Sequence, residues 1–172
     1  MKKWTTLLSL TTICLAVLVN GRWPEARAQA LSPQANSLSK ETRAILDHNE
    51  KLILYSIDPN PVRQETDTRE RFHRYAILGQ TEIKDAKLKK ELLSALYEGM
   101  DSGGGLFPSC FNPRHGIKAI EGTNSVDLLI CFQCNQIVEY VGTTQTWWLK
   151  SERAEMLFNR TLKEGGVPLA KK

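Results

Sequence analysis

Residues 116–141 read Gly-Ile-Lys-Ala-Ile-Glu-Gly-Thr-Asn-Ser-Val-Asp-Leu-Leu-Ile-Cys-Phe-Gln-Cys-Asn-Gln-Ile-Val-Glu-Tyr-Val. Three short apolar runs lie in it, at Gly116–Ile120, Val126–Phe132 and Gln136–Val141. Gly122-Thr123-Asn124 is a natural hairpin turn between the first two. Were 126–141 a single strand, Cys131 and Cys134 would point to opposite faces, because side chains alternate. A turn at Gln133-Cys134-Asn135, where Asn tolerates a left-handed backbone, brings the two sulfurs together. Strands joined by turns this short pair antiparallel, since parallel neighbours need a crossover of a dozen or more residues.

Working outward, Asp85 to Glu98 reads as a helix. Asp85 caps it, Leu88, Leu92, Ala95 and Leu96 recur at helical spacing, and Gly99 ends it. Lys87, Lys89, Lys90 and Glu91 make its solvated side. Phe72 to Leu78 alternates like a strand, and Gly79-Gln80 is expected to turn it into Thr81–Ile83. Lys51 to Ile57 is a further strand, stopped by Asp58-Pro59-Asn60-Pro61. Val62 to Arg71 is charged and is expected to loop outward. Lys40 to Asn49 is a short helix with Ser39 as its N-cap. Ser151 caps a last helix that carries Ala154, Leu157, Phe158 and Leu162, and Gly165-Gly166 and Pro168 end it. The expected fold is α+β, a mainly antiparallel sheet of about five strands with two main helices packed on one face.

Residues 1–30 have the layout of a signal peptide. Lys2 and Lys3 precede an apolar run from Thr5 to Val19, shorter than a membrane span, and Ala28-Gln29-Ala30 supplies the small-x-small pattern for cleavage before Leu31. Cys14 follows Ile13, not the small residue of a lipid-anchored leader, so it leaves with the leader. The expected location is periplasmic or extracellular, with no stable membrane anchor. Residues 31–50 form a lead-in and short helix, and 51–172 one α+β domain.

The leader carries Lys2, Lys3, Arg22 and Arg27 against Glu25, so three of the four net positive charges of this 172-residue chain go with it. Acids and bases are interspersed in the remainder, which removes the basis for nucleic-acid binding. Three consecutive glycines at 103–105 have no Lys-Ser or Lys-Thr after them, so they offer no phosphate cradle.

The cysteines left after cleavage are Cys110, Cys131 and Cys134, with His115 close by. Three is an odd count in an oxidising compartment. The leading expectation is a Cys3His metal site of Cys110, His115, Cys131 and Cys134, with zinc as cofactor, because three thiolates and an imidazole suit its tetrahedral shell. Four protein ligands leave no open position, so such a site braces structure. Arg114 would offset the surplus negative charge. The alternative is a disulfide-closed binding or inhibitor module without metal, with Cys131–Cys134 or Cys110 with either as the bridge.

Two enzyme readings are weaker. Cys131-x-x-Cys134 has the spacing of thiol–disulfide oxidoreductases, but it sits among β-like residues and not at a helix N-terminus. Cys110 and His115 lack a third residue for a nucleophile–base pair. Enzyme activity is therefore not expected. Trp147-Trp148-Leu149 is an apolar triplet that either packs the last helix onto the sheet or anchors a protein partner. His48 and His73 take ordinary surface or core roles.

Cys-Phe-Asn-Pro-Arg-His-Gly-Ile (110–117) with Asp-Leu-Leu-Ile-Cys-Phe-Gln-Cys (127–134) resembles a loose group of small exported bacterial proteins without an assigned activity. Leu54-Tyr55-Ser56-Ile57-Asp58-Pro59 and Ile77-Leu78-Gly79-Gln80-Thr81-Glu82-Ile83 are similar too, so the resemblance covers roughly 52 to 141. It implies a purposeful cysteine–histidine site and lends no catalytic residue.

Overall fold

The computed structural model describes residues 38–64, 66–101, 109–141 and 143–171. The leader lies outside the described residues, as do most of the lead-in and the glycine run. Ten elements follow in order: α1 (Lys40–His48), β1 (Lys51–Pro61), β2 (Arg71–Phe72), β3 (Tyr75–Glu82), α2 (Ala86–Asp101), β4 (His115–Glu121), β5 (Asn124–Cys131), β6 (Gln136–Val141), β7 (Thr143–Trp148) and α3 (Glu152–Glu164). The strands form one antiparallel sheet in the order β2-β3-β1-β4-β5-β6-β7.

The class is the expected α+β with an antiparallel sheet, but the sheet has seven strands, not five, and three helices, not two. The 72–83 region is divided differently from expectation. The chain reverses at His73-Arg74, where His73 has φ 55°, and so splits the expected strand into β2 and β3. β3 then runs straight through Gly79-Gln80, with no turn there. Gly79 serves packing instead: a Cβ would sit 2.8 Å from Val167 Cγ1. The strand the sequence did not announce is β7, built from Thr-rich sequence and the two tryptophans of the triplet.

The caps fall where expected. Ser39 Oγ accepts from Thr42 N–H, Asp85 Oδ1 from Leu88 N–H, and Ser151 Oγ from Ala154 N–H. Such caps are worth about 1 kcal/mol each. α2 passes through Gly99 because the glycine admits a close neighbour, with Leu149 Cδ1 and Ser151 Cβ occupying the space of a side chain.

Alternation along the strands separates two faces. Leu52 and Leu54 (β1), Ile117 and Ala119 (β4), Val126, Leu128 and Ile130 (β5) and Ile137 (β6) meet the apolar sides of the helices in the main core. Ile53, Tyr55 and Leu129 face the other way and are covered by Phe72 and Tyr75 from the β2–β3 hairpin. Phe72 stacks on Tyr55 at 4.5 Å and lies against Gly116, where a Cβ would clash at 2.7 Å. His73 closes this lid, with Nε2 3.1 Å from Asp127 Oδ2 and its ring 3.8 Å from that of Tyr140. Among the described residues no helix is long and apolar enough to cross a membrane.

Candidate functional site

β4 begins at His115, which pairs with Ile130 on one side and Ser56 on the other. Alternation puts His115 on the same face as Ile117 and Ala119, beneath α3. α3 starts at its Ser151 cap and sets Glu155 in its first turn and Asn159 one turn later. Four residues apart, the two share a helix side. Asn159 Oδ1 lies 3.0 Å from His115 Nε2. An amide oxygen only accepts, so Nε2 carries the proton and Nδ1 keeps a lone pair. That Nδ1 is buried and has no hydrogen-bond partner among the described residues.

His115 is only 5% exposed. Burial pushes its pKa down to about 4; the Asn159 bond opposes the shift and the nearby Arg114 charge adds to it. The ring is therefore neutral at pH 7. Phe132 and Phe158 meet it edge-on, with centroids at 5.2 and 6.1 Å.

The β5–β6 turn forms the other wall. Cys131 ends β5, and Asn135 takes the left-handed conformation with φ 51°, as its residue type predicts. Cys131 and Cys134 are joined as a disulfide with Cα atoms 5.2 Å apart. The backbone N–H of Asn112 points at Cys134 Sγ, 3.4 Å away, which fastens the approaching loop to the turn. Arg114 Nη1 donates to Gln133 Oε1 at 2.9 Å, and its Nε donates to the Lys171 carbonyl at 3.0 Å. A cavity of about 210 Å³ opens here, lined by Asn112, Arg114, His115, Phe132, Gln133 and Glu155.

Of the four expected metal ligands, Cys131 and Cys134 come together, but as a disulfide, which has no thiolate to give. Cys110 is free and exposed, and His115 has Nε2 committed to Asn159. Among the described residues, no three His, Cys, Asp or Glu side chains stand close enough to share a metal ion. Cys131 lies at a strand end and is buried, unlike the attacking cysteine of a thiol oxidoreductase. No hydrogen bond links Cys110 to the buried His115.

Trp147 is buried and donates from Nε1 to Glu139 Oε2 at 2.5 Å, so it serves the core and not an exposed partner surface. The side chain of Trp148 lies outside the described set. Sequence reading missed Glu155 and Asn159. Their spacing of four was visible, but which strand they would face was not.

Fold and site together define a small α+β module with a disulfide-closed hairpin and a polar cavity beside it. No protein-family model, no curated protein and no solved structure matches the chain.

Proposed function

We propose that this chain is an exported, disulfide-closed binding module that works without a metal and binds its ligand in the cavity over His115. The observation that carries the reading is the cavity of about 210 Å³ whose lining holds a guanidinium and a carboxylate, Arg114 and Glu155, that do not pair with each other. Charged groups held apart at a partly enclosed surface are the kind of polar contacts that fix a ligand's orientation. The disulfide supports the reading because it holds Phe132 and Gln133 in place, and prearranged walls lower the cost of binding. Export follows from the leader-like 1–30 segment and accords with an oxidised cysteine pair.

The test is a thiol count and a metal analysis on one sample of the exported, untagged protein. Denatured without reductant, it is expected to show one reactive thiol per chain, Cys110, and no stoichiometric metal. Its N-terminus should be Leu31. A second reading, the Cys3His zinc site, has one observation in its favour: the Asn112 bond brings the Cys110 loop against Cys134. Three thiols with one equivalent of zinc would replace the first reading with the second.

A further inference from the structure

The face of the sheet opposite the helices carries a lid whose seating depends on one imidazole. The β1–β3 ladder breaks register at Ser56/Ile57 and again before Pro61. Such irregularities bend a strand pair. Beyond them the β2–β3 hairpin reaches across the sheet. Phe72 stacks on Tyr55 of β1 and lies against Gly116 of β4. His73, at the tip, meets Asp127 of β5 and Tyr140 of β6. β2 is only Arg71–Phe72 and pairs with β3 alone. Side-chain contacts therefore seat the hairpin tip on β4, β5 and β6.

Asp127 has two cationic neighbours of different kinds. Lys118 Nζ, an ammonium, stands 3.3 Å from Oδ1, and His73 Nε2 stands 3.1 Å from Oδ2. Imidazole is the side-chain type whose charge ordinarily changes between about pH 5 and 8. With the ring protonated, lifting the tip breaks an ion pair with a charge-assisted hydrogen bond. With the ring neutral, Asp127 keeps its Lys118 contact, so lifting the tip leaves no carboxylate without a counter-charge.

The remaining charged and titratable groups around the tip do not compete for the ring. Arg74, its chain neighbour, donates to the Tyr75 hydroxyl at 3.2 Å. Arg71 donates to the Gln64 and Asp67 carbonyls in the preceding loop. Glu70 accepts at its own backbone carbonyl from Ile77 N–H, and its charge is felt, with that of Asp127, by the Tyr55 hydroxyl. Burial holds the phenols of Tyr55 and Tyr140 above their ordinary range, so both stay neutral across the interval in which an imidazole changes charge.

We propose that His73 and Asp127 form a pH-sensitive latch: protonation of the His73 ring fastens the β2–β3 hairpin over the sheet, and its neutralisation lets the tip lift off Tyr140 and bare Tyr55 and Leu129. Closure takes up a proton, so by linkage the open form gains as pH rises. The latch lies on the sheet face opposite His115 and does not depend on the binding reading.

Limited proteolysis of the exported protein with chymotrypsin tests it. Phe72 and Tyr75 are buried in the closed hairpin. A first cut at either counts the open form when opening is fast relative to cleavage. Rates are taken from about pH 5.5 to about pH 8, each relative to a short unstructured peptide. The cut is expected to quicken about fivefold over this range, the upper end for a partly exposed ion pair. His73→Asn should level the profile, because asparagine tolerates the left-handed φ of 55° and can hydrogen-bond but never carries charge. Asp127→Asn should level it too. The stability that His115 contributes fades in the opposite direction, as pH falls, so it cannot imitate the rise. A flat parental profile, or an equal rise in the parent and His73→Asn, overturns the latch. Should the variants not fold, the parent in about 1 M salt decides, since charges are then screened beyond about 3 Å. The rise should shrink there, and an undiminished rise overturns the latch.

Discussion

Glu139 and His115 are buried on the same face of the same sheet, 1% and 5% exposed, yet the fold treats them differently. Glu139, under α1, is fully matched. Its Oε1 accepts from Ser39 Oγ at 2.9 Å and from Thr42 Oγ1, and its Oε2 accepts from Trp147 Nε1. Three elements are tied by one carboxylate, and nothing on it is left for another molecule. His115, under α3, spends one ring nitrogen on Asn159 and leaves the other buried without a partner among the described residues. A buried polar group with its bonds made ties elements together. One left half-made is a cost the fold carries, here in a residue that lines the cavity.

The largest expected effect attacks the matched side of this contrast. Glu139→Ala strands two buried donors, on Thr42 and Trp147, and the half-buried Ser39 hydroxyl, and should cost on the order of 4 kcal/mol in urea unfolding. A cost under about 1 kcal/mol would mean that Glu139 is no keystone and the contrast fails.

The second effect concerns His115 and pH. Its folded pKa of about 4 lies below the ordinary 6.5, so the unfolded chain takes up the proton first as pH falls. Stability from the neutral ring is therefore complete above pH 6.5 and is lost progressively down to about pH 4. The loss amounts to roughly 3 kcal/mol. Urea midpoints measured across this window should slope in the parent and flatten in His115→Gln. An equal slope in both would place the titration elsewhere.

The smallest effect sharpens the contrast by location. Replacing both Cys131 and Cys134 by serine opens a very short loop, which in the chain-entropy account costs about 2 kcal/mol. Hydrogen exchange should quicken around the Phe132–Gln133 turn while the Trp147 indole N–H, held by Glu139, stays protected. Equal loosening at both places would show that the bridge supports the whole sheet.

Much of the fold was readable because its signals are local. The Gly122 turn, the Asn135 turn and the Ser39, Asp85 and Ser151 caps each depend on a few neighbouring residues, and each is found as read. The misreadings share a cause in contacts distant along the chain. Gly79 and Gly99 look like punctuation, yet each is small to admit a far neighbour, Val167 in one case and Leu149 with Ser151 in the other. β7 lacks apolar alternation in its first four residues, so its pairing with β6 is what makes it a strand. At the site, Arg114 and His115 could be singled out, but one spacing of cysteines serves a metal and a disulfide alike. Asn159 became a partner of His115, and Glu155 a lining residue of the same cavity, only through the seating of α3, which no short window of residues encodes.

The bridge between Cys131 and Cys134 encloses just two residues, and both of them, Phe132 and Gln133, stand at the mouth of the cavity. On the proposed reading, making the sulfur–sulfur bond is the step that fixes these two walls, so competence to bind would wait on oxidation of the pair.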